Sequence, residues 1–152
     1  MLKKLALLAL STAVCSQPVQ ANAVKDYIYS NPVLEIIEAT GTTILFEGEG
    51  CKDAYGSYNL TTDTMTICLR NHETFAELGD TIRHEAIHVV QACNRGPVLS
   101  VMNTMKYVTE QDKAFVADYP HAHQHSELEA NIAARNLSDE QVTKIVAQFC
   151  FE

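Results

Sequence analysis

Phe75-Ala-Glu-Leu-Gly-Asp-Thr-Ile-Arg-His-Glu-Ala-Ile-His-Val-Val-Gln-Ala-Cys93 is the stretch from which the fold is read. Phe75, Leu78, Ile82, Ala86, Val89 and Cys93 recur at spacings of three and four, which places them on one stripe of a helix of about 20 residues. Gly96-Pro97 then stops the helix. His84-Glu85-Ala-Ile-His88 lies inside it and matches the pattern HExxH. Residues i and i+4 of a helix stand one turn apart on the same face, so both imidazoles can grip one ion. Neither histidine belongs to the apolar stripe. Glu85 is turned by about 100° from His84, so its carboxylate reaches a water beside the metal rather than the metal itself. Zinc lowers the pKa of such a water toward ~7, and a neighbouring carboxylate can take its proton.

The segment before this helix reads as a small sheet. Asn31-Pro32 starts a short helix, with Asn as cap and Pro in the first turn, and Val33, Leu34, Ile36 and Ile37 carry it to Gly41. Thr43-Ile-Leu-Phe46 is apolar and β-branched, hence a strand. Ser57-Tyr-Asn-Leu60 and Thr64-Met-Thr-Ile-Cys68 flank the turn Thr61-Thr-Asp63 and form a hairpin. The expected sheet is small and antiparallel. After residue 72 the chain reads helical: Val98 to Val108, Thr109 to Tyr119, then His125 to Leu137. A last helix opens with the capping box Ser138-Asp-Glu-Gln141 and lines Val142, Ile145, Val146 and Phe149 on one face. Helix, small sheet, then helices make a single α+β domain.

The N-terminus has the order of a secretory signal over residues 1–23. Lys3 and Lys4 are basic, Leu5 to Leu10 open a short apolar run, and Ala21-Asn22-Ala23 is a small-x-small cleavage site. The mature domain is then 24–152, exported to a periplasm or secreted. A lipid-modified Cys15 is the alternative anchor, though Val14 is bulky for such a site. Cleavage removes Cys15 and leaves Cys51, Cys68, Cys93 and Cys150. An even number in an exported domain reads as two disulfides, 51–68 and 93–150, since Cys51 and Cys68 flank the hairpin and Cys93 and Cys150 each end a helix. A cysteine zinc site is disfavoured because the four are widely spread and no CxxC pair exists.

Charge narrows the partners. Eleven Lys+Arg against nineteen Asp+Glu give a formal charge of −8, and cleavage removes two lysines more. A phosphate backbone or an anionic membrane surface needs a basic footprint, so nucleic acid is not an expected partner. The longest apolar run, Leu5 to Val14, is too short for the ~20 residues of a membrane span. The acidic surface says little about a substrate; a peptide or protein substrate is what the HExxH pattern implies.

HExxH on an amphipathic helix resembles the zincin metallopeptidases. That resemblance implies Zn²⁺ as cofactor, His84 and His88 as ligands, Glu85 as general base and a third protein ligand further on. The metzincin branch would require Gly at position 91 and His at position 94; this chain has Gln91 and Asn94. The gluzincin branch takes a Glu from a later helix, and Glu127-Leu-Glu-Ala-Asn131 is similar to the Glu-x-x-Ala-Asn segment of ImmA/IrrE-type metallopeptidases. There Glu127 is the ligand, and Asn131, one turn on, would support a ligand from behind. His88 and Glu127 are farther apart than in that group, and the export signal and cysteines also differ, so the resemblance is claimed for the superfamily. Zincins also place an edge strand above the active helix, a role the order of elements suggests for Thr64 to Cys68.

The residues themselves leave other third ligands open: Glu110, Asp112, Asp118, Glu129, and His121, His123 and His125. Glu110 and Asp112 suit a helix start. Glu127 and Glu129 lie about 200° apart on a helix, so only one can face the metal. Glu127→Ala is thus expected to weaken zinc binding by orders of magnitude, and Glu129→Ala to leave it nearly unchanged. His121-Ala-His-Gln-His125 reads as a polar loop after Pro120, as an oxyanion donor or as further metal ligands. Tyr119 is another oxyanion candidate, and His72 is expected to help the active helix start. The competing function is a non-catalytic periplasmic metal-binding protein that uses the three later histidines with His84 and His88.

Overall fold

The computed structural model describes residues 21–48 and 50–151 of the 152-residue chain. Residues 1–20, which hold most of the expected signal, lie outside the described residues; Ala21–Ala23 form the first turn of α1. The elements run α1 (Ala21–Tyr29), α2 (Pro32–Ala39), β1 (Thr43–Phe46), β2 (Gly56–Asn59), β3 (Thr64–Ile67), a 3₁₀ turn (Leu69–Asn71), α3 (Phe75–Asn94), α4 (Val101–Met105), α5 (Glu110–Val116), α6 (His121–Asn136) and α7 (Asp139–Cys150). This is an α+β domain.

Local chemistry starts each helix where the residues dictate. Asn31 accepts from the backbone N–H of Val33 and Leu34 and caps α2. Thr74 and Glu77 form a reciprocal capping box at α3, and Ser138 and Gln141 do the same at α7. His72 does not cap α3. Its ring sits between the Cys68 carbonyl and the Thr81 hydroxyl, at 2.9 and 2.8 Å, and ties the end of β3 to the helix. The helix expected from His125 begins at His121 instead, because Pro120 takes the N-cap position and a proline there costs no intrahelical bond. The two helices expected between Val98 and Tyr119 are shorter than read, α4 and α5.

The sheet is mixed rather than antiparallel. Its order is β1-β3-β2, with β2 antiparallel and β1 parallel to β3. The side chain of Asp63, just before β3, accepts hydrogen bonds from the hydroxyls of Thr42 and Tyr58, at 2.8 and 2.9 Å. Its carbonyl also accepts from the Thr43 N–H. The starts of β1 and β3 are thus held at one point, and both strands run away from it in the same direction. This order makes β3 the central strand, so Thr64 to Cys68 cannot offer an edge; β2 does.

One core joins the layers. Val33 and Ile37 of α2, Met65 and Ile67 of β3, Ile82, Ala86 and Val90 of α3, and Val142 and Val146 of α7 are fully buried. Leu78 and Val89 complete the stripe read from sequence; Phe75 is only half-buried and Cys93 is exposed. Both expected disulfides are present, Cys51–Cys68 and Cys93–Cys150, which fits an oxidising compartment. The second ties the ends of α3 and α7 across 57 residues of chain. On the chain-entropy model, replacing Cys93 and Cys150 together by Ala lowers stability by about 4 kcal/mol, measurable as a fall in the urea midpoint, with a steeper slope because the freed unfolded chain exposes more surface.

The α4–α5 segment docks onto α6 through a buried acid. Asp112 is fully buried and accepts from Thr109, Asn131 and Arg135, the last two at 2.8 and 2.5 Å. The Arg135 guanidinium, with the Thr109 hydrogen bonds, holds the Asp112 carboxyl far below its ordinary range although burial works the other way. A depressed carboxyl pKa adds stability above the unfolded value near ~4 and loses it as pH falls further. Wild-type thermal stability should therefore drop steeply below about pH 4. Asp112→Asn, with the charge already gone, should be less stable by roughly 2 kcal/mol at neutral pH and flatter in acid.

Candidate metal centre

His84 and His88 project from successive turns of α3, their Nε2 atoms 3.1 Å apart. Packing of α6 against α3 brings Glu127 to them: its Oε2 is 3.4 Å from His84 Nε2 and 3.6 Å from His88 Nε2. Among the described residues this is the group of three metal-ligating side chains whose donor atoms lie mutually close, within 4.8 Å. Ligand atoms on a tetrahedron with bonds of about 2.0–2.1 Å stand about 3.3 Å apart, so the spacing suits zinc. Two imidazoles and a carboxylate are also a zinc donor set with one position left open. Burial disfavours the Glu127 charge, but hydrogen bonds from the two histidines outweigh it and hold the carboxyl at about 2. Glu127 is thus ionised across the physiological range.

Gln91 is a site residue that sequence reasoning used only to exclude a family. Its amide nitrogen donates to the Ser126 carbonyl and to Glu129 Oε2, at 3.0 and 2.8 Å. Both donor protons are thereby engaged, so Oε1 is left to accept from His88 Nδ1 at 2.8 Å. In neutral His88 that contact holds the proton on Nδ1 and would leave the Nε2 lone pair for a metal ion; without one, a protonated Nε2 donates to Glu127. Partners of this kind fix ligand orientation. The available signal was spacing: Gln91 stands three residues after His88, on the same helical face.

Glu129 serves a different purpose from Glu127, as their angular separation requires. It is buried, and besides Gln91 it accepts from the backbone N–H of Val98 and Leu99, at 3.1 and 2.5 Å. It pins the chain after α3 while aiming Gln91. Asn131 does not support the ligands; it donates to Asp112. Asp112 and Glu110 lie in the first turn of α5, and neither is among the clustered donors.

Glu85 is 5% exposed, and its Oε2 has no hydrogen-bond partner among the described residues. Burial and, less strongly, the Glu127 charge raise its carboxyl pKa, against the pull of His84 and His88. An unpartnered buried carboxylate oxygen is costly unless something else uses it. Gly56 of β2 lets the strand approach: a Cβ there would stand 2.8 Å from Thr81 Cγ2 and 3.0 Å from Glu85 Oε1. Gly56→Ala should displace Glu85 and the strand together, costing about 1–3 kcal/mol by overpacking, seen as a lowered Tm.

These residues line a cleft of about 830 Å³. β2 forms one wall, α3 the floor, and α6 with Tyr119 the other wall. Phe115 packs edge-on against His84 and at a tilt against Tyr119, with ring centres 6.3 and 5.6 Å away. His121, His123 and His125 belong to the first turns of α6 rather than to a loop. They do not converge: His123 lines the cleft, His125 sits 3.1 Å from the Thr104 hydroxyl, and His121 is exposed.

Fold and site define an α+β domain built on an HExxH helix, with a carboxylate from a later helix beside the two histidines. The chain belongs to the family described as a domain of unknown function, DUF8637, whose model matches residues 26–151. No curated protein and no solved structure matches it.

Proposed function

We propose that the protein is an exported zinc-dependent peptidase, acting in a periplasm or after secretion. His84, His88 and Glu127 would hold the zinc. The reading is carried by one observation: three donors spaced for zinc stand beside Glu85, a buried carboxylate with an unpartnered oxygen. When bound, zinc supplies Lewis-acid polarisation of a carbonyl and makes a water more acidic.

The chain's own residues do the rest. Glu85 takes a proton from the attacking water and returns it to the departing amine. Gln91 keeps the His88 ring in one tautomer and one orientation. The outer edge of β2, at Gly56, Ser57 and Tyr58, lies along the cleft, and an extended peptide can add to it by main-chain hydrogen bonds. Tyr119 and His123 line the same cleft and offer donors to developing oxygen charge. A purely structural metal site has no use for Glu85, which weighs against the non-catalytic reading. No helix of the described residues is long and apolar enough to cross a membrane.

The test is a mass-spectrometric cleavage assay of the zinc-loaded chain from Val24 onward against mixed peptide libraries. Cleavage abolished by chelation and restored by zinc supports the reading. Bound zinc with no cleavage of any library or folded protein substrate would favour the metal-binding alternative.

A further inference from the structure

The cleft wall carries one arginine without a side-chain partner among the described residues. The chain has four arginines. Arg70 pairs with Glu47, Arg83 with Asp80 and Asp139, and Arg135 with Asp112. Arg95 makes no ion pair or side-chain hydrogen bond among the described residues, yet it lines the cleft with His88 and Glu127. Among the described residues it is the only Lys or Arg there, in a protein of net charge −8.

Its backbone adds to the case. Arg95 follows the last residue of α3 with φ of 60°, the left-handed conformation. The Gly96 N–H bonds the Gln91 carbonyl, closing the helix in the manner usual when glycine holds the left-handed place. Here arginine holds it and glycine comes one residue late. A side chain disfavours this conformation, so stability alone would select against the residue.

Position sets what Arg95 can reach. Seven residues of chain at the helical rise put it about 10 Å from His88 along the α3 axis, and both residues line the cleft. An extended peptide rises about 3.3 Å per residue, so that span is about three residues.

Taking the cleft as the peptide-binding site proposed above, the geometry points to Arg95 as a specificity-determining residue. It receives a substrate carboxylate, from an acidic side chain or from the peptide's C-terminus, about three residues from the bond that is cut. A guanidinium and a carboxylate make a paired, charge-assisted hydrogen bond that an amide cannot reproduce.

Fluorescein-labelled decapeptide pools test this on the zinc-loaded Glu85→Gln chain, which would hold peptide without cutting it. The pools carry Glu, Gln or Lys at each position in turn, with a free or amidated C-terminus, and binding is read by anisotropy. The expected result is that carboxylate-bearing pools bind about 10-fold tighter than neutral, amidated ones. Arg95→Gln erases that preference, Arg95→Lys keeps part of it, and Arg95→Glu transfers it to Lys-bearing pools. Preference for Glu in amidated pools identifies a side chain as the source; preference for the free acid in Gln pools identifies the terminus. Arg95→Gly should lose the preference while Tm rises or holds, and loss of preference only together with a fall in Tm would mark Arg95 as structural and overturn the inference. An unchanged preference in Arg95→Gln, or none in the parent chain, would overturn it as well. Arg95-dependent carboxylate binding with no cleavage by the wild type would support this site and contradict the peptidase reading.

Discussion

On the proposed zinc site, Glu127→Ala should lower zinc affinity by well over 100-fold. Two imidazoles remain, 3.1 Å apart on α3, but a catalytic zinc site takes three protein ligands. The loss should exceed the 10–100-fold typical when an outer partner of a ligand is removed. That smaller figure is what Glu129→Ala should show. Read from helical angles alone, Glu129 faces away from the metal and its loss is nearly silent. Its contacts revise that expectation, because Glu129 holds Gln91 and Gln91 holds His88. Competition with a chromophoric chelator separates the two variants. If Glu127→Ala binds zinc as the wild type does while His123→Ala fails, a site built on a third histidine replaces this one.

The second large effect is on turnover. Glu85→Gln keeps the shape of the side chain and leaves His84, His88 and Glu127 in place, so zinc should bind as before. An amide cannot accept the water's proton, and loss of a general base removes typically 10²–10⁴-fold in rate. The fall should appear in kcat, with zinc content and Tm near wild type. A variant that cuts its substrate at the normal rate would remove Glu85 from the mechanism.

Local signals carried much of the fold to the surface of the sequence. The α3 stripe, the capping residues Asn31 and Ser138 and the Cys51–Cys68 pairing around the hairpin were legible because each depends on spacing or on nearby chain; with that pair taken, Cys93 and Cys150, 57 residues apart, were the two cysteines left, each at a helix end. The proximity of Glu127 to the two histidines was legible for a related reason: helical angles exclude Glu129 from the same face, and the family resemblance names the position. Long-range contacts were not legible. The parallel pairing of β1 depends on Asp63 binding Thr42, a contact across 21 residues, and strand composition carries no information on direction. The hairpin was read, yet which of its strands lies at the edge follows from where β1 docks. His121 to His125 looked like a loop because polar residues after a proline fit a loop and a solvent-facing first turn equally well. Asn131 shares a face with Glu127, but the partner it meets, Asp112, comes from an element whose placement no periodicity announces. Gln91 was visible only as an amide near a histidine until Ser126 and Glu129 engaged its donors.

Zinc K-edge absorption spectroscopy, with metal content measured on the same sample, tests the centre most directly. It should be applied to the chain from Val24 onward, purified without added chelator and compared with its Glu127→Ala form. One zinc per chain, with two imidazoles and carboxylate oxygen at about 2.0–2.1 Å, is the expected result, and the oxygen ligand should be lost in the variant. Two or more labile ions per chain, three or more imidazoles on one zinc, or a spectrum unchanged by Glu127→Ala would contradict the site formed by His84, His88 and Glu127.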